Sequence, residues 1–278
     1  MNLQEGNFNF DSFNIYYRKI FNDKKDNINK AIFFIHGKSS HCGYIENIIT
    51  ESLLNDYIVF TLDLPGWGKS SGTRGHIKSY KEYLKVIVYF INNYIKQYDS
   101  LFIIGESMGS LLTFYLAQNY NIANLKGIVF CPGIFYVNDF NNLLKLSTLY
   151  LGNILFPKYK RVKDRNIEKY TNSQKFGEIL DKDPLWERGA SIRFLFELNK
   201  YIKYMNKNIH SLKYPLLIFQ GMKDIYNNPQ FVKPIFEKLS NNKNNEIIYF
   251  EESRHWLIIN DEVEQIKNYI LNWVNKID

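Results

Sequence analysis

Cysteine is scarce in this chain of 278 residues, which contains Cys42 and Cys131 and no others. A chain of this length can bury a core large enough to fold without disulfide bonds, so this scarcity favours a reducing compartment. The first twenty residues lack the basic start and continuous apolar stretch of a secretory signal. No run of roughly 18 or more apolar residues could span a bilayer, and the last residues include no prenylation cysteine. We therefore predict a soluble, cytoplasmic protein.

Large apolar side chains are abundant: 45% of the residues are hydrophobic and 17% are aromatic. This composition excludes an intrinsically disordered protein and fits one large domain, alone or with an insertion. The net charge of +7 would suit an anionic partner. Because Lys, Asn and Ile are enriched together along the whole chain, we attribute the charge to composition bias and predict no nucleic-acid partner.

Short apolar runs alternate with longer amphipathic stretches, a pattern typical of parallel strands joined by crossover helices. The first twenty residues predict an antiparallel hairpin instead. Later strands are predicted at 30–35, 57–62, 101–104, 126–131, 214–219 and 246–250. Helices are predicted at 79–98, 191–204 and 261–277, and a further helix after the strand at 101–104 runs to about residue 120. A capping box, Ser79 to Glu82, opens the first of these helices. The sequence therefore predicts an α/β fold with a mostly parallel central sheet.

About 80 residues separate the fourth parallel strand from the fifth. They contain an apolar stretch at 143–156, a basic run at 158–165 and the helix at 191–204. We interpret them as a helical cap, which divides the chain into a first core part at 1–133, the cap at 134–212 and a second core part at 213–278. The basic run has five basic side chains and one acidic, a net charge of +4. It fits a solvated loop, or a surface that meets anionic lipid beside the apolar stretch.

A serine lies between two glycines directly after the strand predicted at 101–104, in Gly105-Glu106-Ser107-Met108-Gly109. A nucleophilic serine on a sharp strand-to-helix turn adopts strained backbone angles, and small residues two positions to either side let strand and helix approach each other. In isolation, the motif also fits a glycine-rich connection with a helix-capping serine. Its position between a predicted strand and a predicted helix favours Ser107 as a nucleophile.

Serine is a weak nucleophile that needs a base, and the base needs a third group to fix its tautomer. Among the five histidines, His255 comes just past the last predicted strand, and Asp224 just past the strand before it. Taken singly, Asp224 also fits a turn residue and His255 a surface residue. The carboxyl ends of parallel strands share one edge of the sheet, so these residues are expected to lie close together. In proteins with this kind of nucleophile turn, the triad residues follow one another along the chain in the order Ser, Asp, His, as they do here. We therefore predict a triad of Ser107, Asp224 and His255.

Attack on a carbonyl creates an oxyanion, which needs backbone N–H donors in a water-poor site. We predict that the amides of Lys38, after the first parallel strand, and Met108, at the start of the helix after Ser107, supply them. His36 fits a structural hydrogen-bonding residue rather than a catalytic one.

These residues resemble the monoacylglycerol lipase and lysophospholipase branch of the α/β-hydrolases, also described as serine aminopeptidase-like hydrolases. The similar blocks follow in family order over nearly the whole chain: His36-Gly37, 63–70, 74–76, 105–109, Gly221 with Asp224, and His255. The chain departs from the family at Lys38-Ser39-Ser40-His41, where small residues are usual.

The resemblance implies the α/β-hydrolase fold with a helical cap after the fourth parallel strand, an acyl-binding tunnel beneath the cap, and neither metal nor cofactor. It assigns the triad to the same three residues. We expect a serine hydrolase that cleaves carboxylic esters of single-acyl-chain lipids, with peripheral contact to anionic membranes through the cap. The alternatives are a carboxylesterase or thioesterase for small acyl substrates, and a binding protein of the hydrolase fold without turnover.

Overall fold

The computed structural model describes residues 1–136, 143–162, 166–239 and 242–278. Its strands are β1 (Asn2–Phe10), β2 (Phe13–Phe21), β3 (Lys30–Ile35), β4 (Ile58–Leu62), β5 (Ser100–Gly105), β6 (Leu125–Phe130), β7 (Lys160–Val162), β8 (Gly189–Ser191), β9 (Leu216–Gly221) and β10 (Glu246–Phe250). Its α-helices are α1 (Glu51–Asp56), α2 (Tyr80–Phe90), α3 (Met108–Asn119), α4 (Leu143–Leu155), α5 (Gln174–Lys182), α6 (Ile192–Asn208), α7 (Val232–Phe236) and α8 (Val263–Ile277).

Eight strands form one sheet in the order β1-β2-β4-β3-β5-β6-β9-β10. The β1–β2 and β2–β4 pairs are antiparallel, whereas every other neighbouring pair is parallel. The carboxyl ends of the six parallel strands therefore meet at one edge, where ligands bind in open α/β sheets. The predicted opening hairpin and the predicted mostly parallel sheet are both confirmed.

Both faces of the parallel sheet are buried, and alternate side chains of one strand enter different cores. In β3, Phe33 and Ile35 join the core that contains residues of α2 and α3, whereas Ile32 and Phe34 join the core that contains residues of α8. Two-sided burial explains why these strands are continuous apolar runs in the sequence rather than alternating ones. The runs predicted at 30–35 and 246–250 match β3 and β10, and the other four parallel strands lie within two residues of their predicted bounds.

The segment between β6 and β9 is mainly helical, but it also contains the antiparallel pair β7–β8. Of the two interpretations of the basic run, the solvated loop is therefore wrong in its backbone structure at Lys160–Val162, although Arg161 and Val162 are exposed. There the backbone pairs with Gly189–Ser191, and Lys160 forms an ion pair with Glu187 at 3.0 Å. The remaining residues of the run, 163–165, lie outside the described residues. Such pairing depends on partners 27 to 31 residues further along the chain, which local composition does not reveal.

The amino end of α2 is closed by a residue of α6. Ser79 accepts a hydrogen bond from the Lys81 amide, but Glu197 accepts from both the Tyr80 amide and the Ser79 hydroxyl. The helix thus begins directly after the predicted serine, but the carboxylate that accepts from its first amide belongs to Glu197, distant in sequence, and not to the predicted Glu82. At its other end α2 continues as one π-helical turn, Ile91–Ile95.

Candidate active site

Ser107 lies on the turn between β5 and α3 with φ of +49° and ψ of −110°. A non-glycine residue at positive φ is strained and persists only where the surroundings hold it. A Cβ atom at Gly109 would lie 2.0 Å from the Ile35 carbonyl oxygen, and one at Gly105 would lie 2.5 Å from the Gly109 carbonyl oxygen. The two glycines therefore allow the close approach that the sharp turn requires.

The structure brings Ser107, His255 and Asp224 together at the carboxyl edge of the sheet. The Ser107 Oγ atom lies 2.9 Å from Nε2 of His255, and Nδ1 of His255 lies 2.7 Å from Oδ2 of Asp224. All three residues are buried, with no more than 5% of their surface exposed. The arrangement can move a proton from the hydroxyl to the imidazole while the carboxylate fixes the ring.

The second oxygen of Asp224 is held by its own loop. Oδ1 accepts hydrogen bonds from the amides of Tyr226 at 2.8 Å and Asn227 at 2.9 Å. These bonds fix the carboxylate plane and leave Oδ2 directed at the imidazole. Neither donor is evident from the sequence, since backbone donors carry no residue signature.

Asn227 connects the loop of Asp224 to the chain that leaves β6. Its side-chain oxygen accepts from the amides of Phe135 and Tyr136, and its side-chain nitrogen donates to the Gly133 carbonyl and to Gln220. Because the side chain is fully buried and makes four hydrogen bonds, few other residues could replace it. Asn227 is a positioning residue that sequence reasoning missed.

The loop after β3 carries Lys38 and lies against the turn formed by Gly105 to Gly109, which we call the elbow. A Cβ atom at Gly37 would lie 3.0 Å from the Glu106 carbonyl oxygen and 3.2 Å from Cβ of Ser107, so a side chain here would force its neighbours to move. Lys38 and Met108 both line the cavity beside Ser107, and Met108 is the first residue of α3. The first amides of a helix have no partner within it. The assignment of these two amides to an oxyanion hole stays a prediction.

His36 hydrogen-bonds two loops, in agreement with its predicted structural role. Its Nδ1 lies 2.8 Å from the Gly37 carbonyl oxygen, and its Nε2 accepts from the Leu64 amide at 2.9 Å. These two partners select the neutral tautomer with hydrogen on Nδ1. Burial lowers the pKa of His36 to about 4, so the ring remains neutral at physiological pH.

The cap segment is attached to the far end of the same loop. Asp183, which follows α5, accepts hydrogen bonds from Nε2 of His41 at 2.8 Å and from the Tyr44 hydroxyl. Burial opposes ionisation of Asp183, but these two donors outweigh it and lower the pKa of the carboxyl. The loop that carries Lys38 is thus fixed between the elbow and the cap segment.

A cavity of about 380 Å³ opens beside Ser107. Its aliphatic wall contains residues from the chain after β6, from α4 and from α6: Ile134, Leu149, Ile192, Leu195 and Leu198. Its aromatic wall contains Tyr170, Tyr226 and Trp256, with the Tyr170 ring 5.0 Å from each of the other two. A mainly apolar cavity with a polar reactive group at its wall is typical of a small-molecule site.

The elbow, the hydrogen-bonded chain Ser107–His255–Asp224 and the sheet order define a serine hydrolase of the α/β-hydrolase class. The chain belongs to the Hydrolase_4 family, described as serine aminopeptidase S33, whose family model matches residues 26–262. The predicted family, fold and enzyme class are confirmed.

Similarity to individual proteins agrees with this family. The chain is 30% identical to phospholipase YtpA of Bacillus subtilis over 204 residues, which cover 72% of this chain and 78% of the relative. It is similar in structure to the Paleococcus ferrophilus monoacylglycerol lipase, with a TM-score of 0.83, 21% identity and coverage of 95% and 99% of the two chains. It also matches a monoglyceride lipase variant of Saccharomyces cerevisiae, with a TM-score of 0.86, 18% identity and coverage of 98% and 94%.

Proposed function

We propose that this protein hydrolyses carboxylic esters of lipids with a single acyl chain, through an acyl-enzyme intermediate on Ser107. The main support is the hydrogen-bonded chain from Ser107 through His255 to Asp224, placed at the wall of a mainly apolar cavity. The apolar wall suits an acyl chain, and the serine suits the ester carbonyl at its end.

In the first half of the reaction, Nε2 of His255 takes the proton of Ser107 while Oγ bonds to the carbonyl carbon. The imidazolium then protonates the alcohol oxygen as the ester bond breaks, which leaves the acyl group on Ser107. In the second half, the same nitrogen takes a proton from water, whose oxygen attacks the acyl carbon. Breakdown of this second intermediate releases the fatty acid and returns the proton to Ser107.

Two protein features lower the barriers of these steps. Asp224 holds the Nδ1 hydrogen and stabilises the imidazolium that forms in each half. The amides of Lys38 and Met108 would bind the carbonyl oxygen as it becomes negative, without reorganisation at that moment. Both effects act in a buried site, where electrostatic interactions are stronger than in water.

The cavity size and the relatives support the substrate class. A volume of about 380 Å³ lies at the lower end of the range for small-molecule sites, which favours one acyl chain over two. The relatives include a protein named as a phospholipase and structures named as monoacylglycerol lipases. All three names describe cleavage of lipid esters, and the apolar cavity of this chain fits the same chemistry.

We further propose that residues 134–212 act as a cap that meets an anionic membrane surface from the cytoplasmic side. Apolar side chains on α4 and just after it are exposed: Leu144, Leu151, Ile154, Leu155 and Phe156. Leu144 and Ile154 expose 77% and 75% of their surface, which is unusual for such residues outside an interface. Tyr159, whose amide donates to the Phe156 carbonyl, also lines the cavity, so lipid could pass from the patch to Ser107.

No helix within residues 1–136, 143–162, 166–239 and 242–278 is both long and apolar enough to cross a membrane. Contact through the cap would therefore be peripheral for this part of the chain. Lys158 and Arg161 are exposed, follow the apolar patch within five residues in the chain and would attract anionic head groups, each by about 1 kcal/mol near such a surface.

A fluorophosphonate probe tests the proposed chemistry, because it reacts with an activated serine. We expect rapid labelling of the wild-type protein, no labelling of Ser107→Ala, and normal labelling of Ser147→Ala, in which an exposed serine of α4 is removed as the matched control. Ser107→Ala should retain less than about 1% of the wild-type esterase rate with an unchanged melting temperature. A folded wild-type protein that does not react would indicate a binding protein without turnover.

A panel of substrates that each carry a single acyl chain would then identify the substrate class. It comprises a monoacylglycerol, a lysophospholipid, a p-nitrophenyl ester and an acyl thioester, each with a short and with a long acyl chain. We expect the highest kcat/KM for one of the two lipid esters. A preference for the thioester, or for short acyl chains only, would support the thioesterase or carboxylesterase alternative.

A further inference from the structure

Glu106 is a carboxylic acid at the centre of the elbow, directly before Ser107. Only 1% of its surface is exposed. Burying a carboxylate costs several kcal/mol unless hydrogen bonds and charges compensate it. The triad chemistry does not use this group, so its presence beside the strained backbone of Ser107 needs another explanation.

The Glu106 side chain reaches the loop that carries Lys38. Its Oε2 atom accepts a hydrogen bond from the Gly37 amide at 3.0 Å. The Gly37 amide is one peptide unit before the Lys38 amide, the donor assigned to the oxyanion. A Cβ atom at Gly37 would lie 3.4 Å from Cδ of Glu106, so the carboxyl group occupies the space beside this glycine. Glu106 therefore fixes the backbone on which one oxyanion donor depends.

Glu106 is surrounded by groups that can become cationic and by groups that can become anionic. Burial raises the pKa of the Glu106 carboxyl, whereas the Gly37 amide and the nearby rings of His255 and His41 favour its anionic form. Tyr44 and Cys131 also face it. Burial raises the pKa of each, and the Glu106 charge adds to the rise. The nearby group that becomes cationic during catalysis is His255, whose Nε2 atom lies 2.9 Å from Oγ of Ser107, the residue directly after Glu106.

We propose that Glu106 is a positioning residue with two separable effects on acyl transfer. Through the Gly37 amide it holds the Lys38 amide in place, and through its negative charge it favours the protonated His255 that forms as Ser107 attacks. This proposal rests on the proposed function. The first effect is geometric and needs a hydrogen-bond acceptor, and the second is electrostatic and needs a charge.

Two substitutions separate the effects. Glu106→Gln keeps an acceptor for the Gly37 amide but removes the charge, whereas Glu106→Met keeps the length and removes both. Glu197→Gln is the matched control, because Glu197 is also 1% exposed and accepts a hydrogen bond from a backbone amide, but lies at the start of α2 rather than at the elbow. The kcat, KM and pH profile would be measured with a soluble short-chain p-nitrophenyl ester under conditions in which acylation limits the rate.

For Glu106→Gln we expect kcat about fivefold lower and the acidic limb of the kcat/KM profile displaced to lower pH by about half a unit, because protonated His255 loses a nearby negative charge. For Glu106→Met we expect the same displacement and kcat about 100-fold below wild type, similar to the loss of one oxyanion donor. KM should change less than threefold in both. Glu197→Gln should keep the wild-type profile even if its melting temperature falls.

Specific results would overturn the proposal. A wild-type pH profile in Glu106→Gln would exclude the electrostatic effect, and a kcat for Glu106→Met within threefold of Glu106→Gln would exclude the geometric effect. If Glu106→Met does not fold, a Glu106→Gln enzyme with wild-type kcat and profile is sufficient to reject the proposal. Failure of the proposed function is a different observation, since it would appear as a wild-type protein that neither hydrolyses esters nor reacts with the fluorophosphonate probe.

Discussion

Strand β5 and helix α4 are both rich in apolar residues, yet they bury their side chains to opposite extents. Every residue of β5 is buried between two layers of helices. In α4, Leu144, Leu151, Ile154 and Leu155 face solvent. Apolar content alone therefore does not decide burial. The strand holds Ser107 in a fixed place, whereas the exposed side chains of the helix are available to an apolar surface outside the protein.

This contrast predicts different consequences for substitutions in the two regions. Changes at the carboxyl edge of the sheet should affect chemistry or folding strongly, because each group there has specific partners. Changes on the outer surface of α4 should leave both nearly unchanged and affect lipid contact instead.

The largest effect is expected for Asp224→Asn. The amide would leave the imidazole of His255 in the wrong tautomer, so kcat should fall by about 10⁴-fold while the Tyr226 and Asn227 amides keep an acceptor. Steady-state kinetics with a soluble ester would measure the loss, and circular dichroism would verify the fold. A small loss would mean that another carboxylate is the acid. A carboxylate that follows β6 in the sequence, Asp139, is a second candidate and lies outside the described residues.

A large loss of stability is expected for Asn227→Ala. The substitution removes four buried hydrogen bonds and leaves the amides of Phe135 and Tyr136 without their acceptor. Each buried group without a partner costs about 1 to 3 kcal/mol, so the free energy of unfolding should fall by about 4 kcal/mol. Urea denaturation would measure it, with the exposed Asn119→Ala as control. A loss below about 1 kcal/mol would contradict the assigned role.

Acidification should weaken the fold through His36. Its pKa is about 4 in the folded protein against 6.5 as the ordinary value, so the unfolded chain takes up the proton first. The stabilisation is complete above about pH 6.5 and is lost as the pH falls to about 4, for a total of about 3 kcal/mol.

Denaturation curves at several pH values would test this contribution in wild type and in His36→Asn. The variant is expected to be less stable at pH 7 but to lose about 3 kcal/mol less between pH 6.5 and 4. Equal losses in the two proteins would show that other groups cause the acid sensitivity.

The smallest effect on folding is expected from the α4 surface. The triple substitution Leu151→Ser, Ile154→Ser and Leu155→Ser should change the free energy of unfolding by about 0.5 kcal/mol or less per site and leave turnover of a soluble ester intact. Binding to phosphatidylglycerol vesicles at low salt should weaken at least about tenfold, because three apolar side chains can no longer enter the bilayer surface. Leu3→Ser, at an exposed leucine of β1, is the control. Unchanged vesicle binding would contradict peripheral contact through α4.

The sequence predicted a feature of this protein where the residue types themselves, and their position relative to an apolar run, determine that feature. Strands buried on both faces appear as continuous apolar runs, and residues just past such runs meet at one edge, which is why Ser107, Asp224 and His255 could be placed together. Glu106 lies within the predicted motif, but its contact with Gly37 joins positions 69 residues apart. Asn227 and Glu197 likewise act through partners distant in the chain, and residue type alone does not identify such partners.

Helix α6 has a consequence for the modularity of the molecule. Its Phe194 ring contacts Trp67 and Tyr80 of the core, its Tyr201 ring lies 4.9 Å from Tyr80, and its Glu197 closes α2. Removing the whole insertion, or exchanging it for that of another hydrolase, would remove these aromatic contacts and leave the first amide of α2 without its acceptor. An exchanged segment would have to end before Ile192, so that α6 stays with the core on which it packs.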